Sequence, residues 1–198
     1  MLNCWYSGTR TRYCAARPAG SVTIRPTGYG SPRWPGFIEH ETRRMHLGGL
    51  TANPTGEWTI QQARKLALTL TLGERFRDIK FIIRDGGPNF TASFDAVFQA
   101  IGTRILRTAV QVPRMNAYAE RFVLTARTEV TDRMLIFGQR HLRTILAQYE
   151  AHYNGRRPHR SRQLRPPRPN HPVGDLSQAR IQRRSVLGGL ISEYERAA

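Results

Sequence analysis

Lysine is nearly absent from this 198-residue chain: Lys65 and Lys80 stand against 29 arginines. Acidic residues are also scarce, with 14 Asp and Glu against 31 Lys and Arg, so the formal net charge is +17. A GC-rich genome's codon bias accounts for the choice of arginine over lysine, but not for the shortage of acid. That shortage indicates a polyanionic partner, because each neutralised phosphate releases condensed counterions.

The chain also lacks an apolar run of transmembrane length and a long amphipathic basic helix. Nucleic acid is therefore favoured over an anionic membrane as the partner. Cys4 and Cys14 are the only cysteines and have no histidine at zinc-ligand spacing, which excludes a zinc finger. The first residues lack the apolar segment of a secretory signal, so we expect a cytoplasmic protein with reduced thiols.

Residues 1–36 differ in composition from the rest of the chain. They contain five Arg, five Gly and four Pro but no Asp or Glu, and neither a strand nor a helix period persists. We interpret them as an unstructured basic segment, which is out of frame, the product of a mis-called start, or a flexible arm for nucleic acid. Residues 37–160 are expected to form the folded domain, and residues 161–198 a basic tail rich in Pro and Arg.

From Phe37 onward the hydrophobic pattern predicts an α/β layer with an antiparallel edge and a parallel part, flanked by helices. The predicted order is strand, strand, helix, strand, helix, strand, helix, helix. Thr59 and Gln62 have capping-box spacing at the start of the first helix. Asn116 is the predicted N-cap of the third helix.

Two carboxylates lie where α/β proteins often place their chemistry. Asp85 ends the apolar strand I-K-F-I-I-R-D, and the glycine turn after it allows close approach of a ligand. Glu120 lies in the first turns of a later helix; if that helix packs beside the strand, both can bind Mg²⁺ or Mn²⁺. Taken alone, a turn-capping Asp and a Glu that complements the helix dipole explain them at least as well.

Three motifs follow one another in the chain. D-x-G-x-x-F begins at Asp85, N-x-x-x-E-R begins at Asn116 with its glutamate 35 positions after Asp85, and H-Y-N-x-x-R-P-H begins at His152. Together with F-I-E-H-E-T-R-R-M-H-L-G-G, they resemble the integrase core of insertion-sequence transposases and retroviral-type integrases over residues 37–160. The resemblance implies an RNase H-like fold and a DDE enzyme of DNA integration and transposition that uses Mg²⁺ or Mn²⁺. It also implies a homo-oligomer.

The resemblance assigns Asp85 and Glu120 to catalysis and metal binding. It also implies DNA contacts, which we predict for Arg114, Asn116, Arg121, Arg127, Arg156, Arg157 and His159. Arg114, Arg121 and Arg127 could each equally be an ordinary solvent-exposed charged residue with no DNA contact. His159 could instead cap a turn.

The chain departs from the family at the first catalytic Asp, which the resemblance places on a strand upstream of Phe37. No acidic residue precedes Glu39, and Glu39 and Glu41 fall at the end of a predicted hairpin. We therefore expect that residues 1–36 have overwritten the first strand and that the copy is truncated and catalytically impaired, because two-metal transfer needs the bridging carboxylate. The alternative is a non-catalytic, Arg-rich DNA-binding protein.

Overall fold

A computed structural model describes residues 21–26, 35–72, 79–108, 116–168 and 180–196. Within these ranges a five-stranded mixed sheet is flanked by helices, and a two-stranded hairpin follows near the end of the chain. None of the described helices is both long and apolar enough to cross a membrane. The elements are β1 Ser21–Pro26, β2 Pro35–Glu39, β3 Met45–Leu47, α1 Gly56–Leu72, β4 Phe81–Arg84, α2 Ala92–Gln99, β5 Arg104–Arg107, α3 Ala117–Ala126, α4 Gly138–Gly155, β6 Ile181–Val186 and β7 Ile191–Arg196.

The first strand of the sheet is present, contrary to the expectation that it is missing. The strand order is β3-β2-β1-β4-β5, so β1 is the central strand. It pairs antiparallel with β2 and parallel with β4. Its sequence, S-V-T-I-R-P, contains three β-branched residues, which favour a strand. The strand has only six residues, follows Gly20 and ends in Pro26, and so short a run shows no clear strand period in the sequence.

The two faces of the sheet carry different helices. Phe37 and Ile38 are neighbours on β2, so their side chains point to opposite faces. Phe37 packs in a cluster with residues of α1 and α2. Ile38 packs in a second cluster with Phe122 of α3 and Leu146 of α4. The helix that carries Glu120 therefore covers the face opposite α1 and α2.

Helix α1 begins at Gly56, one turn before the predicted N-cap. The Thr55 hydroxyl accepts a hydrogen bond from the backbone N–H three residues later at 3.2 Å. Thr59 lies inside the helix and donates its hydroxyl to the Thr55 carbonyl at 2.9 Å. Gln62 does not complete a capping box, because its Oε1 accepts a hydrogen bond from the Gly49 backbone at 2.7 Å.

Part of the expected C-terminal tail is a hairpin. Strands β6 and β7 pair antiparallel, and the turn between them passes through Leu187 and Gly188, both with positive φ. Leu187 is 5% exposed and packs in the cluster that contains α3 and α4. Residues 181–196, which were expected to be part of a basic tail, therefore form a hairpin, and Leu187, with Leu190 and Ile191 packed beside it, attaches this hairpin to the core.

Asn154 of α4 closes the outer edge of the sheet. Its Oδ1 accepts a hydrogen bond from the Met45 backbone N–H, and its Nδ2 donates to the Met45 carbonyl, both at 2.9 Å. Met45 belongs to the edge strand β3, whose outward backbone groups need partners from outside the sheet. The side-chain amide supplies both partners.

We predict that Asn154→Ala lowers the free energy of unfolding by about 1–3 kcal/mol, because it leaves two backbone groups of a buried residue without partners. Urea denaturation followed by circular dichroism measures the change. Gln148→Ala, at an exposed position of the same helix, is the matched control and should stay within about 0.5 kcal/mol of wild type. Equal stability of the two variants would contradict this role of Asn154.

Candidate functional site

Asp85 is the first residue after β4 and is half-buried. Its Oδ1 accepts a hydrogen bond from the Gly87 backbone at 3.0 Å, which forms a turn typical of aspartate. A Cβ at Gly87 would lie 3.0 Å from the same oxygen, so the turn favours glycine there. The space beside the Gly87 backbone, which was expected to admit a ligand, is thus occupied by the Asp85 carboxylate itself.

Arg84 holds the backbone of Asp85 in place. Its side chain is 4% exposed and binds Asp95 of α2 through two hydrogen bonds, of 2.7 and 2.6 Å. It also donates from NH1 to the Asp85 carbonyl at 3.0 Å. Sequence reasoning missed this pair, although a charged residue at the end of an apolar strand was a visible signal.

Glu120 lies in the first turn of α3 and is half-buried. Helix α3 packs against β1 and β2, and Glu120 lines a groove of about 890 Å³ beside it. Asp85 follows β4, the neighbour of β1 on its other side. Both carboxylates therefore come from elements that flank β1, while Asp85 is not part of the groove wall.

The central strand contributes no carboxylate to this site. Thr23 pairs with Ile38 on one side and Ile83 on the other, and the strand S-V-T-I-R-P has no acidic residue. Within the described ranges, no group of three or more His, Cys, Asp and Glu could hold a metal ion. Asp85 and Glu120 alone do not fit a two-metal centre, which needs a bridging carboxylate between two ions.

Glu39 does not stand in for the absent acid. Its side chain is buried at the end of β2, where one carboxylate oxygen lies 2.9 Å from His46 Nε2. The other oxygen accepts a hydrogen bond from the Thr42 hydroxyl. These contacts hold the carboxylate within the β2–β3 hairpin.

The groove beside Glu120 is basic and partly aromatic. Its wall comes from the β2–β3 turn, from α3 and from the segment after α4, and includes Arg43, Tyr118, Arg121, Arg157, His159 and Arg160. The Arg43 guanidinium carbon lies 3.5 Å from the centre of the Tyr118 ring, a cation–π contact. Cations on an aromatic surface are typical of grooves that bind nucleic acid.

The predicted DNA contacts near α3 fall into three groups. Arg121 and Arg127 are exposed, and Arg127 Nε lies 3.4 Å from Asp132 Oδ1. Arg114 lies outside the described residues. Asn116 is 6% exposed and occupies the N-cap position, but its side chain makes no capping hydrogen bond. Asn116 is thus the N-cap residue, as predicted, but it does not cap the helix through its side chain, and its burial removes it from the exposed surface.

Arg156 and Arg157 follow directly after α4, which ends at Gly155. Arg157 donates to Glu129 from Nε at 3.1 Å and from NH2 at 2.6 Å. Arg156 NH2 lies 3.1 Å from Glu195 Oε2 of β7. Both guanidinium groups are thus paired with carboxylates inside the protein.

Glu129 connects this pair to α4. Tyr149 donates its hydroxyl to Glu129 Oε2 at 2.7 Å. Burial disfavours the charged carboxylate, but hydrogen bonds from Arg157 and Tyr149 outweigh it and lower the pKa of Glu129. Glu129 sits in a π-helical turn, Arg127–Thr131, a conformation that often occurs at functional sites.

His159 is buried beside the same network. It is 8% exposed, and its ring lies edge-on to Tyr153 with the centroids 4.8 Å apart. Burial, followed by the charge of Arg157, lowers the pKa of His159 to about 4. The folded protein therefore holds this ring neutral at pH 7.

The buried, neutral His159 predicts a loss of stability in mild acid. In the unfolded chain the ring takes up a proton at a pKa of about 6.5, so its contribution is fully present above that pH and is lost as pH falls towards 4. Relative to His159→Gln, wild type should lose up to about 3 kcal/mol of unfolding free energy between pH 7 and pH 4. Urea titrations of both proteins at several pH values measure this, and a pH-independent difference would contradict it.

Comparison with known proteins agrees with this architecture. Residues 101–167 match the family model described as integrase core domain. The crystal structure of the catalytic core domain of BIV integrase is similar, with a TM-score of 0.54, 12% sequence identity, and coverage of 76% of this chain and 91% of that chain. No curated protein matches the chain significantly. The chain thus has the RNase H-like fold of an integrase catalytic core and matches the integrase core domain family over residues 101–167.

Proposed function

We propose that this protein is of the integrase/transposase type, acts on DNA, and is impaired in the metal-dependent cleavage and transfer of strands. The observation that carries the proposal is the position of β1. It lies between β2 and β4, the strand that Asp85 follows, and it packs against α3, which carries Glu120. This central strand has the pairing of an integrase core and no acidic residue.

DNA is the partner favoured by charge and by the groove. The net charge of +17 favours a polyanion. Arg43, Arg121 and Arg160 line the groove together with Tyr118, so phosphates and bases could both be contacted. Arg127 lies exposed just beyond α3 and extends the basic surface.

The impairment follows from the ligand set. Asp85 and Glu120 are the proposed remnants of an Mg²⁺ or Mn²⁺ site. Two-metal phosphoryl transfer needs a carboxylate that bridges both ions, so that the attacking and leaving oxygens are held in line. Because β1 lacks that carboxylate, Asp85 and Glu120 alone cannot hold two metal ions in this arrangement.

A second candidate function is a non-catalytic DNA-binding protein that occupies the same DNA as intact relatives. It is favoured by the contrast between the basic groove, which retains its arginines, and the acid-free central strand. Both candidates require DNA binding.

Nicking of supercoiled plasmid with Mn²⁺ or Mg²⁺ tests the proposal without knowledge of a specific DNA end. We expect wild type to nick no faster than Asp85→Ala, because neither holds a complete ligand set. Asp132→Ala, which removes an exposed carboxylate, is the matched control. A contrary result would be that wild type and Asp132→Ala nick the plasmid whereas Asp85→Ala and Glu120→Ala do not. That result would show an active enzyme and contradict the proposed loss of catalysis.

A further inference from the structure

Three buried nitrogen atoms near the groove lack hydrogen-bond partners among the described residues. They are Arg43 NH1, Arg162 Nε and His159 Nε2. Buried N–H groups nearly always have an acceptor, and each exception calls for an explanation. Two of the three belong to guanidinium groups, which remain charged and can only donate.

These groups converge from two parts of the chain. Arg43 comes from the β2–β3 turn, while His159 and Arg162 follow α4. Arg162 reaches back to that turn, since its NH1 lies 3.4 Å from the Glu41 carbonyl. Arg43, Arg157 and His159 line the same groove, and the Arg162 backbone N–H donates to the His159 carbonyl at 3.0 Å. After burial, the charges of Arg157, Arg162 and Arg43 also lower the pKa of His159.

The positive charge at this corner is only partly compensated. Arg157 is paired with Glu129. Within the described part of the chain, neither Arg43 nor Arg162 forms an ion pair with a carboxylate. Arg43 also has a φ of 62°, a conformation unusual for a residue other than glycine and found at ligand clamps.

The ring of His159 can take part in the same anion site. Its Nε2 is buried and has no hydrogen-bond partner among the described residues. A proton at Nε2 would make this nitrogen a donor to an anion. An anion among these groups would accept from both guanidinium groups and would favour protonation at Nε2.

We propose that Arg43, Arg162 and His159 form a buried seat for one phosphate group, supplied by the backbone of the DNA that lies in the adjacent groove. This inference rests on the DNA partner proposed above. The seat differs from the exposed Arg121 of α3 and Arg127 just beyond it, because its donors are already held in place by the fold. A phosphate bound there would anchor the DNA in one register relative to Glu120, which lines the same groove.

Binding of a fluorescein-labelled duplex, followed by anisotropy at several salt concentrations, tests the seat. Removing one phosphate contact should reduce the slope of log K against log salt by about one. We expect this change in Arg162→Gln. Arg165→Gln, which removes an exposed charge three positions along, is the matched control and should keep the wild-type slope.

Histidine NMR on wild type provides a readout that does not depend on whether a variant folds. Inorganic phosphate, added at constant ionic strength against chloride, should move the ring signals of His159 towards the protonated form. His159→Gln identifies those signals. Addition of the duplex should produce the same shift and should prevent any further change by inorganic phosphate.

Each contrary result points to a different failure. Absence of salt-dependent duplex binding by wild type would refute the proposed function itself. Normal duplex binding with equal slope changes in Arg162→Gln and Arg165→Gln would refute the seat alone. A His159 shift with inorganic phosphate but not with the duplex would overturn DNA as the source of the phosphate.

Discussion

The structure depends on the pairing of β1 with one strand on each side. Its hydrogen bonds to β2 and β4 join the hairpin edge of the sheet to the parallel part, and the helices on both faces cover the surface thus formed. Pairing of this kind uses backbone groups that almost any residue supplies, whereas chemistry at the same strand requires a particular side chain. The fold of an integrase core can therefore persist with a central strand that carries no acid.

Most elements after Phe37 could be predicted because each buries a strong apolar pattern. Strand β4 has Ile82 and Ile83 in its interior, and α2 has Phe94 and Phe98 one turn apart. Strand β1 was not predicted, because a run of six residues between glycines and prolines is too short for a strand period to be recognised. The β6–β7 hairpin was missed because β6 is exposed along most of its length, so that alternation of polar and apolar residues is absent.

The positions of the two acidic residues in the fold could be predicted, whereas the contacts of the basic residues could not. Asp85 follows β4 and Glu120 lies in the first turn of α3, as motif and spacing predict. Arg157 was predicted to contact DNA, and it pairs with Glu129, 28 positions away. Such pairing depends on how α3, the π-helical turn and α4 meet, which local sequence does not encode. The burial of His159 has the same origin.

We propose that the protein keeps the fold of a metal site but lacks one of its carboxylate ligands. Measuring Mn²⁺ binding after a carboxylate is introduced on β1 is the most direct test of this proposal. Position 23 shares its register with Ile38, which packs against α3, and with Ile83. In titration calorimetry, Thr23→Asp should bind Mn²⁺ about tenfold more tightly than wild type, a gain of roughly 1.4 kcal/mol. Val22→Asp, one position along, should not. Equal affinity in wild type and Thr23→Asp, lost in Asp85→Ala, would contradict a site incomplete at β1.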